Sequence, residues 1–209
     1  MIETMQADRT GIGALTAGML LLGLLWLGPL PALARGSFTM HMVLHLTVML
    51  VAAPLLAFAL VRLVRIRPRG GWLILGLAGA AAEMAVVWGW HVPRLHQAAM
   101  RYPAAFALQQ ASFLLAGLLV WLPGFAGSGR RAAGAAALTM AASFAHMSML
   151  GVLLTTAPRL IYGASGGDTA FGLSPLDDQR LGGVLMAVAG GLPYMLGGMY
   201  FAARFLSEE

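Results

Sequence analysis

Six apolar runs, each long enough to cross a lipid bilayer, constrain this chain more than any other feature of its sequence. They cover residues 11–33, 38–60, 71–90, 104–122, 132–156 and 181–206. A helix of about 20 apolar residues spans the hydrocarbon core and satisfies its own backbone groups there. With 59% hydrophobic and 10% charged residues, the chain has little sequence left for a soluble domain. The sequence therefore predicts an all-α fold, a polytopic integral membrane helical bundle that forms a single transmembrane domain over residues 1–209.

Arginine supplies all of the formal positive charge, and its distribution predicts how the helices are oriented. If every run crosses the membrane, the two termini and the loops at residues 62–69 and 130–131 lie on one side. That side holds eight of the thirteen basic residues, four of them between residues 62 and 69. Cytoplasmic loops carry an excess of basic residues, so this side and both termini are predicted to be cytoplasmic. The net charge of +5 thus reflects topology and gives no indication of a nucleic-acid partner.

The first run ends in the small-residue pattern Ala32-Leu33-Ala34, which is similar to a signal-peptidase site. Two features argue against cleavage. Glu3 and Asp8 precede the run where a signal peptide carries positive charge, and the run is longer than a signal peptide's apolar core. The sequence therefore favours an uncleaved first helix.

The second run contains two histidines, His41 and His45, in a segment otherwise suited to the bilayer interior. At about 100° per residue, His41, His45 and Met49 fall on one stripe of a helix, and Met42 neighbours His45 and Met49. Polar side chains are costly inside a membrane, so they indicate function by default. Imidazole and thioether together suit a soft transition metal, above all Cu(I). The alternative is a pair of interfacial histidines bonded to backbone or lipid headgroups.

By the predicted orientation, all five histidines fall in the outer half of the membrane or just beyond it. The fifth run carries His146, roughly 15 Å below its outer end, and Met149 on the same face. If the second and fifth runs are neighbours, His41, His45, His146 and a methionine would surround one ion. The competing interpretation is that His146 only packs. The chain has no cysteine, which excludes a thiolate site and favours His and Met ligands outside the cytoplasm.

Two further polar positions invite interpretation. Glu83 is the one acidic residue well inside a predicted span, two turns below His91 on roughly the same face. It would orient a ligand histidine, relay protons, or remain a protonated carboxyl bonded to a neighbouring helix.

Residues 91–103 are too short and polar to cross the membrane and are predicted to lie along its surface. His96, in that segment, is expected to be mobile and to matter less for metal binding.

Several stretches of the chain together resemble the CtaG family of bacterial cytochrome c oxidase assembly factors. The His-x-x-x-His start, the Trp-His-x-Pro and the Ser-Pro-Leu-x-Asp-Gln-x-x-Gly-Gly are specific in combination. The resemblance extends over about four-fifths of the chain. The matching stretches are HMVLHL (41–46), WHVPRLHQAAM (90–100), SFLLAGLLVW (112–121), HMSMLGVLLTTAPRLIY (146–162) and SPLDDQRLGGVLM (174–186).

The resemblance implies a non-enzymatic factor of the bacterial plasma (inner) membrane that helps to mature a haem-copper oxidase, by handling copper for it. Its partners would be the lipid bilayer and oxidase subunits or another copper chaperone, and a homo-oligomer is left open. By position, the family's histidines fall on His41, His45 and His91, and Asp178 and Gln179 lie in the outer-loop motif. Family members often carry another histidine where this chain reads ALQQ (107–110), so a ligand from the fourth span is not expected.

Three other interpretations compete with a copper-delivery factor. A b-type haem protein would use His45 and His146 as axial ligands from facing spans. A metal or proton transporter would use Glu83 and the histidines as its path. A scaffold would use the histidines only for packing.

Overall fold

A computed structural model of the protein describes residues 2–66, 70–162 and 169–207. The described chain is helical and contains no strands. Its α-helices are α1 (Ile2–Leu27), α2 (Leu30–Gly36), α3 (Phe38–Thr47), α4 (Ala53–Val64), α5 (Trp72–Trp90), α6 (Pro93–Arg101), α7 (Pro103–Ala126), α8 (Arg130–Thr155), α9 (Pro175–Val188) and α10 (Leu192–Ser207). A π-helical turn (Val48–Ala52) joins α3 to α4, and a short 3₁₀ turn (Ala170–Gly172) precedes α9.

Six helical stretches of the described chain are long and apolar enough to cross a membrane. They are Arg9–Leu27, Phe38–Val64, Trp72–Trp90, Pro103–Ala126, Arg130–Thr155 and Pro175–Ser207. The predicted all-α membrane bundle is confirmed. α8 packs against α5, α9 and α10, while α7 packs against α4 and α5, and α1 lies against α4. α3 packs against α9, which brings the start of the second span next to the last one.

Prolines explain where the observed spans depart from the predicted ones. The first apolar run is split after Leu27, where Pro29 and Pro31 follow. The helix breaks there because proline has no N–H with which to continue the helical hydrogen bonding. The last span starts earlier than predicted, at Pro175, inside residues 157–180, whose polar composition predicts a loop. It also breaks into α9 and α10 just before Pro193.

The π-helical turn in the second span compensates for Pro54. The Ala53 N–H bonds the carbonyl of Val48, five residues back, instead of that of Met49. The Met49 carbonyl is thereby released, and it accepts a hydrogen bond of 3.2 Å from the indole N–H of Trp121 on α7. The turn also shifts the helix register, so residues beyond Val48 no longer continue the stripe of His41 and His45 as an ideal α-helix would.

Two glycines of α9 let this helix approach its neighbours closely. A Cβ on Gly182 would collide with the ring of Phe38 on α3, and one on Gly183 would collide with the backbone of Thr155 on α8. Small residues permit such close packing between membrane helices. The Gly-Gly pair therefore fixes the position of α9 beside the start of α3.

Candidate functional site

Four of the five histidines meet at one end of the bundle. His41 and His45 lie on α3, His91 follows the last residue of α5, and His96 lies on α6. The His41 ring centroid is 5.3 Å from that of His45, 4.8 Å from His96 and 6.5 Å from His91, and His45 is 5.5 Å from His91. All four side chains are buried, none more than 6% exposed. We call these residues the histidine cluster.

Backbone hydrogen bonds fix the tautomer of two members of the histidine cluster. Nδ1 of His45 lies 3.0 Å from the His41 carbonyl, and Nδ1 of His91 lies 2.7 Å from the Val87 carbonyl. A carbonyl only accepts, so each Nδ1 must carry the proton and donate it. When the ring is neutral, Nε2 of each residue therefore keeps a free lone pair. Such a backbone bond is how metal-binding histidines are commonly oriented.

Several ring nitrogens of the histidine cluster have no hydrogen-bond partner among the described residues. They are Nε2 of His45 and His91, both ring nitrogens of His41, and Nδ1 of His96. Buried polar atoms are almost always satisfied, because leaving one unpaired costs about 1–3 kcal/mol. A group of unpaired imidazole nitrogens at one place therefore points to a ligand that accepts their lone pairs.

The two histidines that lie outside the spanning segments are uncharged at neutral pH. Burial lowers the pKa of His91 to about 4, against the opposing effect of its bond to the Val87 carbonyl. Burial, and then the proximity of His91, lowers the pKa of His96 to about 3. Neutral imidazole is the form that binds a metal. In the described part of the chain, however, no three His, Asp or Glu side chains are already arranged as a metal site.

Asp178 caps the helix that carries His41 and His45. Its carboxylate accepts hydrogen bonds from the Ser37 hydroxyl at 2.7 Å, the Phe38 N–H at 2.6 Å and the Thr39 N–H at 3.3 Å. The Thr39 hydroxyl donates in turn to the Asp178 carbonyl at 2.9 Å. A carboxylate at a helix N-terminus satisfies free N–H groups and is favoured by the helix dipole. From sequence, the acids at residues 168, 177 and 178 are most simply interpreted as solvating a polar loop. Asp178 is 2% exposed, so this interpretation is wrong for Asp178.

Gln179 positions Ile161 and Tyr162 next to the histidine cluster. Its side-chain carbonyl accepts from the N–H groups of Ile161, at 2.8 Å, and Tyr162, at 3.4 Å. The Tyr162 hydroxyl donates to the His91 carbonyl at 2.9 Å. The Tyr162 ring stacks on Phe38, with centroids 4.7 Å apart, and lies 4.4 Å from His96. The adjacent residues 178 and 179 thus position α3 and Tyr162 around the imidazoles.

His146 belongs to a different buried group. Its Nε2 lies 3.1 Å from Oε2 of Glu83, and the Tyr194 hydroxyl donates to Oε1 of the same carboxylate. Glu83 and Tyr194 are fully buried, and His146 is 5% exposed. This Glu83 network joins α5, α8 and α10. The expectation that His146 would lie with His41 and His45 fails because α3 packs against α9, which stands between α3 and α8.

The predicted methionine ligands have different surroundings. Met42 and Met49 are fully buried in the apolar core, where Met42 lies with Phe38 against Gly182. Met149, in contrast, is 49% exposed, so the structure does not bring it to the buried imidazoles.

His96 is more deeply buried than its sequence predicts, because the predicted surface segment forms the helix α6. The ring is 6% exposed and lies against His41, so the prediction that His96 is mobile is wrong. The helix turns the residue inward because Pro93 begins a new helical turn with His96 and Ala99 on its buried face. The three-residue spacing of His96 and Ala99 was the signal in the sequence that could have indicated this buried face.

Tyr162 and Tyr194 were missed altogether as parts of buried polar groups. Their partners, His91 and Glu83, are 71 and 111 residues away in sequence. No local periodicity could have indicated such pairs.

Comparison with known proteins places these features in a family. No curated protein and no solved structure matches the chain. A family model described as cytochrome c oxidase caa3 assembly factor (Caa3_CtaG) matches residues 8–208, nearly the whole chain. That range contains the histidine cluster, the Asp178–Gln179 pair and the Glu83 network. The chain belongs to the Caa3_CtaG family of cytochrome c oxidase assembly factors.

Proposed function

We propose that this membrane-embedded assembly factor binds Cu(I) as cargo in the histidine cluster and delivers it to a nascent haem-copper oxidase. The observation that carries the proposal is the set of buried imidazole nitrogens without hydrogen-bond partners on His41, His45 and His91. Imidazole suits copper, and a buried pocket lined by imidazoles favours the singly charged ion over a divalent one. Delivery by ligand exchange requires no catalytic base or nucleophile.

The spacing of the rings supports this proposal. Two imidazoles that bind one ion through bonds of about 2 Å have ring centroids roughly 5–6 Å apart. The centroid distances among His41, His45 and His91 are 5.3, 5.5 and 6.5 Å. Two of these distances fall in that range, and the one between His41 and His91 exceeds it by about 0.5 Å, so a small movement of the rings would direct three nitrogens at a common ion. We assign these three residues as the ligands of the inner site.

The cluster is proposed to face the extracytoplasmic side, where the receiving oxidase subunit or a copper chaperone would meet it. The excess of arginine at the opposite end of the bundle supports this orientation.

Because the chain lacks cysteine, single cysteines introduced by Arg130→Cys and Gln97→Cys report the two sides of the membrane. In intact cells, an impermeant thiol reagent should label only the second variant. Labelling of only the first would invert the orientation. Asp168, which we expect on the outer side, lies outside the described residues.

Copper affinity of the purified protein tests the function itself. Wild type and His45→Ala compete for Cu(I) with a colorimetric chelator in detergent, and Met149→Leu serves as the control. We expect His45→Ala to lose affinity by about tenfold to a hundredfold, since even residues that only orient ligands have effects of that size. Met149→Leu should match wild type. Failure of the wild type to bind copper would refute the proposal.

The Glu83 network favours a second candidate, a metal or proton transporter, because an ionisable group inside a bundle is typical of ion paths. The two candidate functions predict different results for ion uptake into sealed vesicles. A transporter accumulates the ion inside, whereas a delivery factor binds copper without net transport. The haem interpretation has less support, because His146 is bonded to Glu83 and His45 stacks on Phe113 with ring centroids 4.8 Å apart.

A further inference from the structure

A small cleft opens beside the histidine cluster at the same end of the bundle. Its volume is about 30 Å³, enough for a water molecule or a single metal ion. The cleft lies between the start of α3, the helix α6 and the start of α9. Among the described residues that line it, His96 is the one imidazole and Met100 is the one thioether.

His96 and Met100 lie four residues apart on α6 and therefore on one face, with Cβ atoms roughly 6 Å apart. Nδ1 of His96 is buried and has no hydrogen-bond partner among the described residues. Met100 is only partly buried. A nitrogen and a sulfur donor at this spacing would bind one soft ion between them.

Asp178 is the one carboxylate among the described residues that line the cleft, and it is already engaged. Both carboxylate oxygens of Asp178 are occupied by the hydrogen bonds that cap α3. A hard divalent ion would need such oxygens, whereas Cu(I) would use the free nitrogen and sulfur. The donor set of the cleft is thus selective for a soft ion.

The contacts of His96 connect the cleft to the inner site. The stacked rings of Phe38 and Tyr162 line the cleft, whereas His41, His45 and His91 do not line it. His96 contacts both of these rings and is 4.8 Å from His41, measured between ring centroids. His41 in turn is 5.3 Å from His45. The imidazoles therefore form a continuous series from the cleft to the buried end of the cluster.

We propose that His96 and Met100 form the entry site for Cu(I), from which the ion passes to His41 and then to the inner site. This inference rests on the proposed function and names the residues through which the cargo enters. In the transfer step, a Cu–N bond to the lone-pair nitrogen of His41 forms while the Cu–S bond to Met100 breaks. Copper remains Cu(I), and no electron or proton is exchanged.

The rate of loading, measured separately from affinity, tests the entry site. The full-length protein in detergent is mixed with Cu(I)–bicinchoninate, and the loss of the donor's colour is followed in a stopped-flow instrument. We expect Met100→Leu and His96→Gln to load about tenfold more slowly, and to release copper to a chelator more slowly by the same factor, because an entry ligand lowers the barrier in both directions. Their dissociation constants should stay within about twofold of wild type.

The controls are chosen to separate position from chemistry. Met149→Leu makes the same substitution at a methionine away from the cleft, and Gln97→Ala changes an exposed residue of α6. Both should load at the wild-type rate. His45→Ala should lose affinity instead, because it removes an inner ligand.

Two results would overturn the entry site while leaving the proposed function intact. One is loading of both α6 variants at the wild-type rate. The other is a loss of affinity in His96→Gln and Met100→Leu as large as that in His45→Ala, which would make them inner ligands. Wild type that takes up no copper would overturn the proposed function and, with it, the entry site.

Discussion

The histidine cluster and the Glu83 network are both buried polar groups in an apolar bundle, but their hydrogen bonding differs. In the network, one carboxylate accepts from Tyr194 and contacts Nε2 of His146, and among the described partners only Nδ1 of that imidazole is left unpaired. In the cluster, His41 and its neighbours leave lone pairs unused and have no carboxylate between them. Buried polar groups are stable when satisfied and costly when they are not. The network is thus suited to joining helices, whereas the cluster is arranged to receive a ligand.

The largest effect should come from removing both histidines of α3. We expect His41→Ala combined with His45→Ala to weaken Cu(I) binding by at least about a hundredfold, since two of three inner ligands are lost. Stability should fall as well, because two fully buried rings are truncated and the Nδ1 bond of His45 to the His41 carbonyl is lost. Chelator competition and thermal unfolding in detergent measure the two quantities. Unchanged copper affinity would mean that the unpaired nitrogens serve some other ligand.

Glu83→Ala should lower stability without lowering copper affinity. It leaves the Tyr194 hydroxyl and the His146 ring without their partner, which costs about 2–4 kcal/mol of stability. Copper affinity should remain at the wild-type value in the fraction that folds. Glu83→Gln serves as the milder variant, because an amide of similar size retains part of the bonding. A strong loss of copper affinity in Glu83→Gln would show that the two groups are coupled.

Asp178→Ala should affect both properties moderately. Loss of the α3 cap costs about 1–2 kcal/mol, and the displaced helix start should lower copper affinity by about tenfold. Asp177→Ala is the matched control, because Asp177 lies in the same first turn of α9 and its carboxylate is exposed. Equal effects of the two substitutions would show that charge, and not the cap on α3, accounts for the loss.

The smallest measurable effect is expected for Tyr162→Phe. It removes the hydroxyl bond to the His91 carbonyl but keeps the ring that stacks on Phe38. A single hydrogen bond contributes about 1 kcal/mol, so the melting temperature should fall by a few degrees. Copper affinity should decrease by less than about tenfold. A decrease as large as that of His45→Ala would assign the hydroxyl a direct role at the ion.

Much of the fold follows from local sequence. The apolar runs predicted the six spanning helices, and the expense of histidine in a bilayer singled out His41 and His45. The resemblance added His91, Asp178 and Gln179. These predictions succeed because membrane insertion and helical periodicity depend on neighbouring residues.

The membership of the two buried groups could not be predicted in this way. The sequence placed His146 with the α3 histidines and left His96 on the surface, and the structure places both differently. Depth along a helix is a property of sequence position, but the neighbour at that depth depends on which helices pack together. Here α9 stands beside α3, so His146 meets Glu83 on α5 instead.

The sequence by itself determined that this is a membrane bundle, where its spans lie and that its histidines are costly enough to need a reason. Only the tertiary structure decided that His96 joins His41, that Asp178 caps α3 and that the Tyr162 hydroxyl reaches His91. The physical reason is the separation in sequence over which each effect acts. Hydrophobicity and helix periodicity act over a few residues, whereas these contacts join residues between 55 and 140 positions apart, through the close packing of helices at small residues such as Gly182.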